Sequence, residues 1–217
     1  MSSDPAPRSR AVCPRCGGPV AASPDGEWGC SLHGPVLPLD PPCPPSTEGL
    51  QEALRGARVP FWLPWPLPSG WLVTGFLRAG DERSGVRGSG VAVSGPGLAA
   101  GPADMLLVAE EVGVGLGAHY AGLPGLDPGP AADDGPPHAK VTADGRPVPL
   151  WAVPGPSDRA VYAGEAMGRW LWAVLWPADA GVMLLDHLQL IDLRAPGMDL
   201  DLPYGAPCPW LAPSGDA

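Results

Sequence analysis

The chain has 217 residues, a formal net charge of −10, and Lys140 as the lone lysine among 13 basic residues. That balance argues against a nucleic-acid partner, because duplex binding needs clustered Lys and Arg against the phosphates, and no run of about 18 apolar residues marks a membrane span. The 31 glycines and 32 prolines would suit disorder, but 45% apolar residues and nine tryptophans do not, since disordered chains bury few large aromatics.

Residues 1–11 are polar and read as a flexible tail. They lack the apolar h-region of a secretory signal, so a cytoplasmic location is the expectation. Residues 12–38 carry CPRCGG, and a C-P-x-C pair can be a thioredoxin-like redox pair or half of a metal site. A reactive cysteine sits at a helix N-terminus, whose dipole lowers its pKa. Gly17, Gly18 and Pro19 do not propagate a helix, and no βαβ pattern surrounds the pair. Cys30-Ser-Leu-His33-Gly34 follows and completes C-x2-C-x13-C-x2-H, two x2 pairs each followed by glycine. Cys13, Cys16, Cys30 and His33 then form a tetrahedral set suited to a structural Zn(II). The stretch between the pairs reads as a hairpin turning at Asp25-Gly26, so the segment is zinc-ribbon-like. Cys43 and Cys208 are left over, and a disulfide between them is not expected in a reducing compartment.

Residues 39–69 form a Pro-rich connector with one helix at 46–57. Ser46 or Thr47 can cap it, and Leu50, Ala53, Leu54 and Ala57 share a face. The stretch 59–71 holds too many prolines for a helix or an interior strand. From Trp71 the pattern is strand-like, with strands expected at 71–79, 86–94, 104–112, 138–143, 147–153, 160–165, 169–176 and 181–192. Short links at Met167-Gly168 and at 177–180 read as hairpin turns, so 70–195 is expected to be an antiparallel β-rich domain. The loop 122–137 is long and acidic, and 196–217 reads as an irregular tail. The expected class is mainly β (α+β), a zinc-ribbon-like module plus an antiparallel sheet with one short helix.

In the β-region GVGLGA, 113–118, fits G-x-G-x-x-A, but a Rossmann site needs a following helix, and AHYAGLPGLDPG is expected not to continue as one. A Gly-rich strand with a bulge is the expectation. Glu110 and Glu111 would point to opposite faces of a strand and cannot act as a carboxylate pair. Trp170, Trp172 and Trp176 should share one face. Trp62, Trp65, Trp71, His119 and His138 are candidates for a ligand or partner surface, with core packing the competing role for the tryptophans.

The motifs CPRCGG with CSLHG, WLPWPLPSGWL, VAEEVGVGLGAHYAG, PPHAKV and WLWAVLWP together resemble an uncharacterised family of actinobacterial proteins, from about Cys13 to Leu193. The resemblance implies a high-GC Gram-positive source and a cytoplasmic protein, and it supplies no catalytic residues. Two functions follow. The first is a non-enzymatic module with a structural zinc that binds a protein or a small ligand. The second is an enzyme with a site near His119, His138 or Glu110. No activated nucleophile–base pair is legible, which favours the first.

Overall fold

The computed structural model of the chain describes residues 11–98, 101–132, 134–195 and 201–212. Near the N-terminus β1 (Val20–Ala22), β2 (Trp28–Cys30) and β3 (Gly34–Pro35) make a small antiparallel sheet. The hairpin turns where the sequence indicates: Gly26 takes a left-handed φ of 78°, and Ser23 and Glu27 close the loop through their backbones.

The single helix of the connector, α1 (Thr47–Leu54), is shorter than the expected 46–57. Ser46 caps it by accepting the Gly49 amide at 3.0 Å. Gly56, at φ 72°, turns the chain away before Ala57 can join the helix. The Pro-rich stretch yields only β4 (Trp62–Pro64), and β4 is an edge strand, where a proline that cannot donate is tolerated.

The body is a nine-stranded sheet. Its strands are β4, β5 (Leu72–Asp81), β6 (Gly85–Pro96), β7 (Pro102–Glu110), β8 (Ala139–Ala143), β9 (Arg146–Ala152), β10 (Ala160–Ala166), β11 (Arg169–Trp176) and β12 (Gln189–Asp192). Their order is β4-β12-β8-β9-β10-β11-β7-β6-β5. The sheet curls until β4 at one edge lies against β6 and β7 near the other. Ser89 of β6 fastens this approach by donating to the Pro60 carbonyl. Met167 and Gly168 both have positive φ, as a two-residue hairpin loop requires, and β10 pairs with β11 across them.

Three local expectations change. The run 181–192 is not one strand: Ala178–Leu185 winds as a 3-10 helix and only Gln189–Asp192 joins the sheet. Its apolar residues serve a single-sided turn, with Met183 and Leu184 buried while Val182 and Leu185 are exposed. The link 177–180 therefore starts that helix instead of making a hairpin. β12 returns to pair antiparallel with β4 and parallel with β8, the one parallel pairing among the described strands. Finally, 113–118 is no bulged strand: a six-residue helix, α2 (Leu116–Ala121), follows β7, contrary to the expectation that no helix continues there.

Period-two alternation fills both faces of the sheet. One face buries Val73, Met105, Leu107, Leu171 and Leu175 against Phe61, Trp62, α1 and the 3-10 helix. The other buries Leu77, Leu106, Val108, Trp172, Val174 and Trp176 under α2, Leu39 and Leu211. Trp170 packs on this same cluster, so the three tryptophans of β11 do share a face.

The glycines of GVGLGA are explained by this packing. Gly113 and Gly115 hold φ of 92° and 84° in the turn that enters α2. At Gly117 an added Cβ would lie 2.2 Å from the Trp172 ring. Trp172 is fully buried and cannot move aside. Gly117→Ala should therefore cost about 3 kcal/mol or more of stability in urea denaturation, whereas Gly145→Ala, in open space, should lose only the smaller cost of its positive φ.

Candidate metal centre

The two x2 pairs fold as matching knuckles. Gly17 after Cys16 and Gly34 after His33 have φ of 68° and 66°. Gly17 donates to the Cys13 carbonyl at 2.8 Å. At each first cysteine the sulfur faces two backbone amides, those of Arg15 and Cys16 for Cys13 and those of Leu32 and His33 for Cys30. Gly18 lets the chain pass close to Cys16, since a Cβ there would meet its sulfur at 3.3 Å.

This brings four donor atoms together, all within 4.8 Å of one another. His33 Nδ1 is 3.6 Å from both Cys13 Sγ and Cys30 Sγ, and Cys16 Sγ is 3.9 Å from Cys30 Sγ. A tetrahedral ion with bonds of about 2.3 Å to sulfur and about 2.0 Å to nitrogen sets donor separations of about 3.5–3.8 Å. The group can hold a metal ion with little adjustment. The pair does not sit at a helix N-terminus, as a reactive cysteine pair would: Gly17 turns the chain at φ 68° and β1 follows. The Leu32 amide, aided by His33, draws Cys30 down to about 6, as suits a thiolate ligand.

The clasp is docked on the body. Arg15, between its first two cysteines, donates to the Gly113 carbonyl at 2.7 Å, the Val114 carbonyl at 3.3 Å and the His33 carbonyl at 3.5 Å. Val12 and Leu39 exchange backbone hydrogen bonds at 2.8 Å, and the strap 38–40 in turn bonds to β5. On the far side of the ribbon Arg83 donates to the Asp25 carbonyl at 2.8 Å.

The turn that receives Arg15 is organised by Glu110. This carboxyl is wholly buried between the sheet and α2, and accepts the Leu116 and Gly117 amides at 2.7 and 3.0 Å. It therefore occupies the end of α2 where a Rossmann fold would place phosphate, and the G-x-G-x-x-A pattern is structural. Glu111 faces the other way and pairs with Arg87 and Arg169, so the two acids are not a pair.

The remaining candidates are not brought together. His119 of α2 lies over the first knuckle, about 3.7 Å from a Cβ built on Gly17, and burial keeps its imidazole below its ordinary pKa. His138 is exposed at the start of β8, with Nδ1 accepting the Ala152 amide at 3.2 Å. Trp62 and Trp71 do not form a partner surface. They are 1% and 3% exposed because the strap they belong to is laid into the core, and Trp71 donates to the Pro96 carbonyl at 3.2 Å. Trp65 is half-buried at the rim of that core. Sequence reasoning missed Arg15 and the capping role of Glu110. The available signal was an acid six residues before a helix start, hidden because the helix itself was not expected.

A model of a family of unknown function, DUF6758, matches residues 7–211, and the chain belongs to that family. No curated protein and no solved structure matches it. Among the described residues no helix is long and apolar enough to cross a membrane.

Two outcomes follow from these contacts. Arg15→Ala removes a charged donor from two buried-turn carbonyls, so amide hydrogen exchange across 112–117 should quicken by roughly tenfold or more. Burial raises the Glu110 carboxyl from its ordinary 4.5 to about 7, against the pull of the two amides. A folded pKa above the unfolded one means stability is fully present below about pH 4.5 and is lost as pH rises through about 7. Relative to Glu110→Gln, which cannot ionise, the wild type should lose on the order of 3 kcal/mol between about pH 4.5 and pH 8 in urea denaturation. A pH-independent difference would contradict this.

Proposed function

We propose that the protein is a non-enzymatic binding module, stapled at its N-terminus by a structural Zn(II) on Cys13, Cys16, Cys30 and His33. The observation that carries this is the convergence of three sulfurs and one imidazole nitrogen within 4.8 Å of one another, from two glycine-turned knuckles. Three thiolates and one imidazole suit Zn(II), and four protein donors leave no position for water or substrate. The ion would supply folding energy to a segment of three very short strands, too small to build a core of its own. Residues 12–38 then act as a module held against the β-rich body, with a protein or small ligand as the partner.

An enzymatic reading has less to rest on. Glu110 is engaged in capping α2, and His138 does not line the cavity that holds His119. His119 does share a cavity with Asp40, but Asp40 is paired with Arg78 at 3.1 Å and no hydrogen bond links it to the imidazole. An actinobacterial source and a cytoplasmic location belong to the same proposal. Their support is the Ala-, Gly- and Pro-rich composition with arginine as almost the sole base, and Cys43 and Cys208, the two cysteines outside the clasp, which are not joined by a disulfide.

Elemental analysis of the full-length protein, purified without added metal, tests the reading. About one zinc per chain is expected, with Cys13→Ser/Cys16→Ser losing the ion and the order of residues 12–38. Absence of metal, iron in place of zinc, or zinc retained by the double variant would overturn it.

A further inference from the structure

Beside the clasp lies a cavity of about 280 Å3. Distant parts of the chain build it: Val12 and Gly17 of the first knuckle, the strap 39–42, His119 and Tyr120 of α2, and Trp210–Ala212 near the C-terminus. Four aromatic residues line it, set among aliphatic side chains and prolines. Trp176 and Trp210 stack with centroids 5.1 Å apart and planes 8° apart. His119 and Tyr120 meet edge-on at 5.2 Å. Trp210 is fixed in this position, since its Nε1 donates to Asp104 at 3.0 Å, and Asp104 also accepts from Ser94.

The charges bordering the cavity are already satisfied. Arg159 forks onto Asp158 at 2.7 and 2.8 Å, donates to the Tyr120 carbonyl at 2.7 Å, and rests 5.3 Å above the Trp176 ring. Asp40 faces Arg78. Burial favours the neutral form of His119. An ion entering here would leave water without a free counter-charge. An uncharged flat ring would replace water on Trp210, which is 41% exposed while Trp176 behind it is covered, and gain stacking there. The volume sits near the lower end of the range for ligand pockets, which suits one or two fused rings.

We propose that this cavity is a binding site for a small, uncharged, planar ring compound, and that the metal clasp holds one of its walls. The second half rests on the zinc reading, because Val12 and Gly17 are chain neighbours of Cys13 and Cys16.

The zinc-bearing full-length protein is titrated with indole, indole-3-acetate and tryptamine. Binding is followed in 1H–15N NMR spectra at the Gly17 amide and the Trp210 Nε1–H. Saturable shifts with indole are expected at both positions, with each charged congener weaker by roughly tenfold or more. Trp210→Ala changes a residue that is 41% exposed, and followed at Gly17 it should weaken indole by about fivefold. Non-saturating shifts with indole, or a charged congener that binds as tightly, would overturn the ligand class. Unchanged affinity in Trp210→Ala would overturn the assignment of the cavity. Chelation should weaken indole by about tenfold. Unchanged affinity would overturn the role of the clasp as a wall, and metal content of the same samples reports on the zinc reading separately.

Discussion

A single carboxyl, buried at the end of β7, organises the contact between clasp and body. Glu110 sits where no water reaches it, and the Leu116 and Gly117 amides complete its hydrogen bonding. Those two bonds fix the turn from β7 into α2. The carbonyls of that turn, at Gly113 and Val114, receive Arg15 from the first knuckle. The helix that starts there brings His119 to the other side of the same knuckle. A buried acid with imperfect compensation costs stability. Here the cost is set against a turn and a short helix that have little intrinsic stability of their own.

The curled sheet needs cover on both faces, and the chain supplies it from its irregular parts. α1, the 3-10 helix and the Trp62 strap close one face, while α2, the 38–40 strap and the C-terminal segment close the other. Such cover explains how so many prolines coexist with a dense core. The Pro-rich strap at 59–71 pairs only along the sheet edge through β4, and it buries Trp62 and Trp71 in the core beneath it. Where several of these straps meet over the second face they do not fill the space, and the aromatic cavity beside the clasp is the result.

Much of this could be read from residue order. The two knuckles, their hairpin and the Ser46 cap depend on neighbours a few residues apart, and all were legible. So were most strands, because period two is a local signal. The misses share one cause. The 181–192 run and α2 both lie where a tertiary surface decided the conformation: Met183 and Leu184 turn toward the core, and α2 exists because Glu110 caps it and Trp172 receives Gly117. The tryptophan cluster at 62–71 was ambiguous for a related reason, since composition cannot say whether an aromatic strap faces inward or outward.

By itself, then, the sequence determined the Cys13, Cys16, Cys30 and His33 group that could hold a metal ion, the mainly β class and the alternation that gives the sheet two apolar faces. These are consequences of spacing and periodicity, which need no distant partner. Only the tertiary structure decided that Arg15 docks the clasp, that Glu110 caps α2, and that His119, Trp176 and Trp210 converge on one cavity. Arg15 and the cavity walls are joined across tens of positions; Glu110 reaches only six and seven residues, but to a helix held in place by the packing of Gly117 on Trp172. These contacts arise from the curl of the sheet and the cover of its outer face, and no local pattern encodes either.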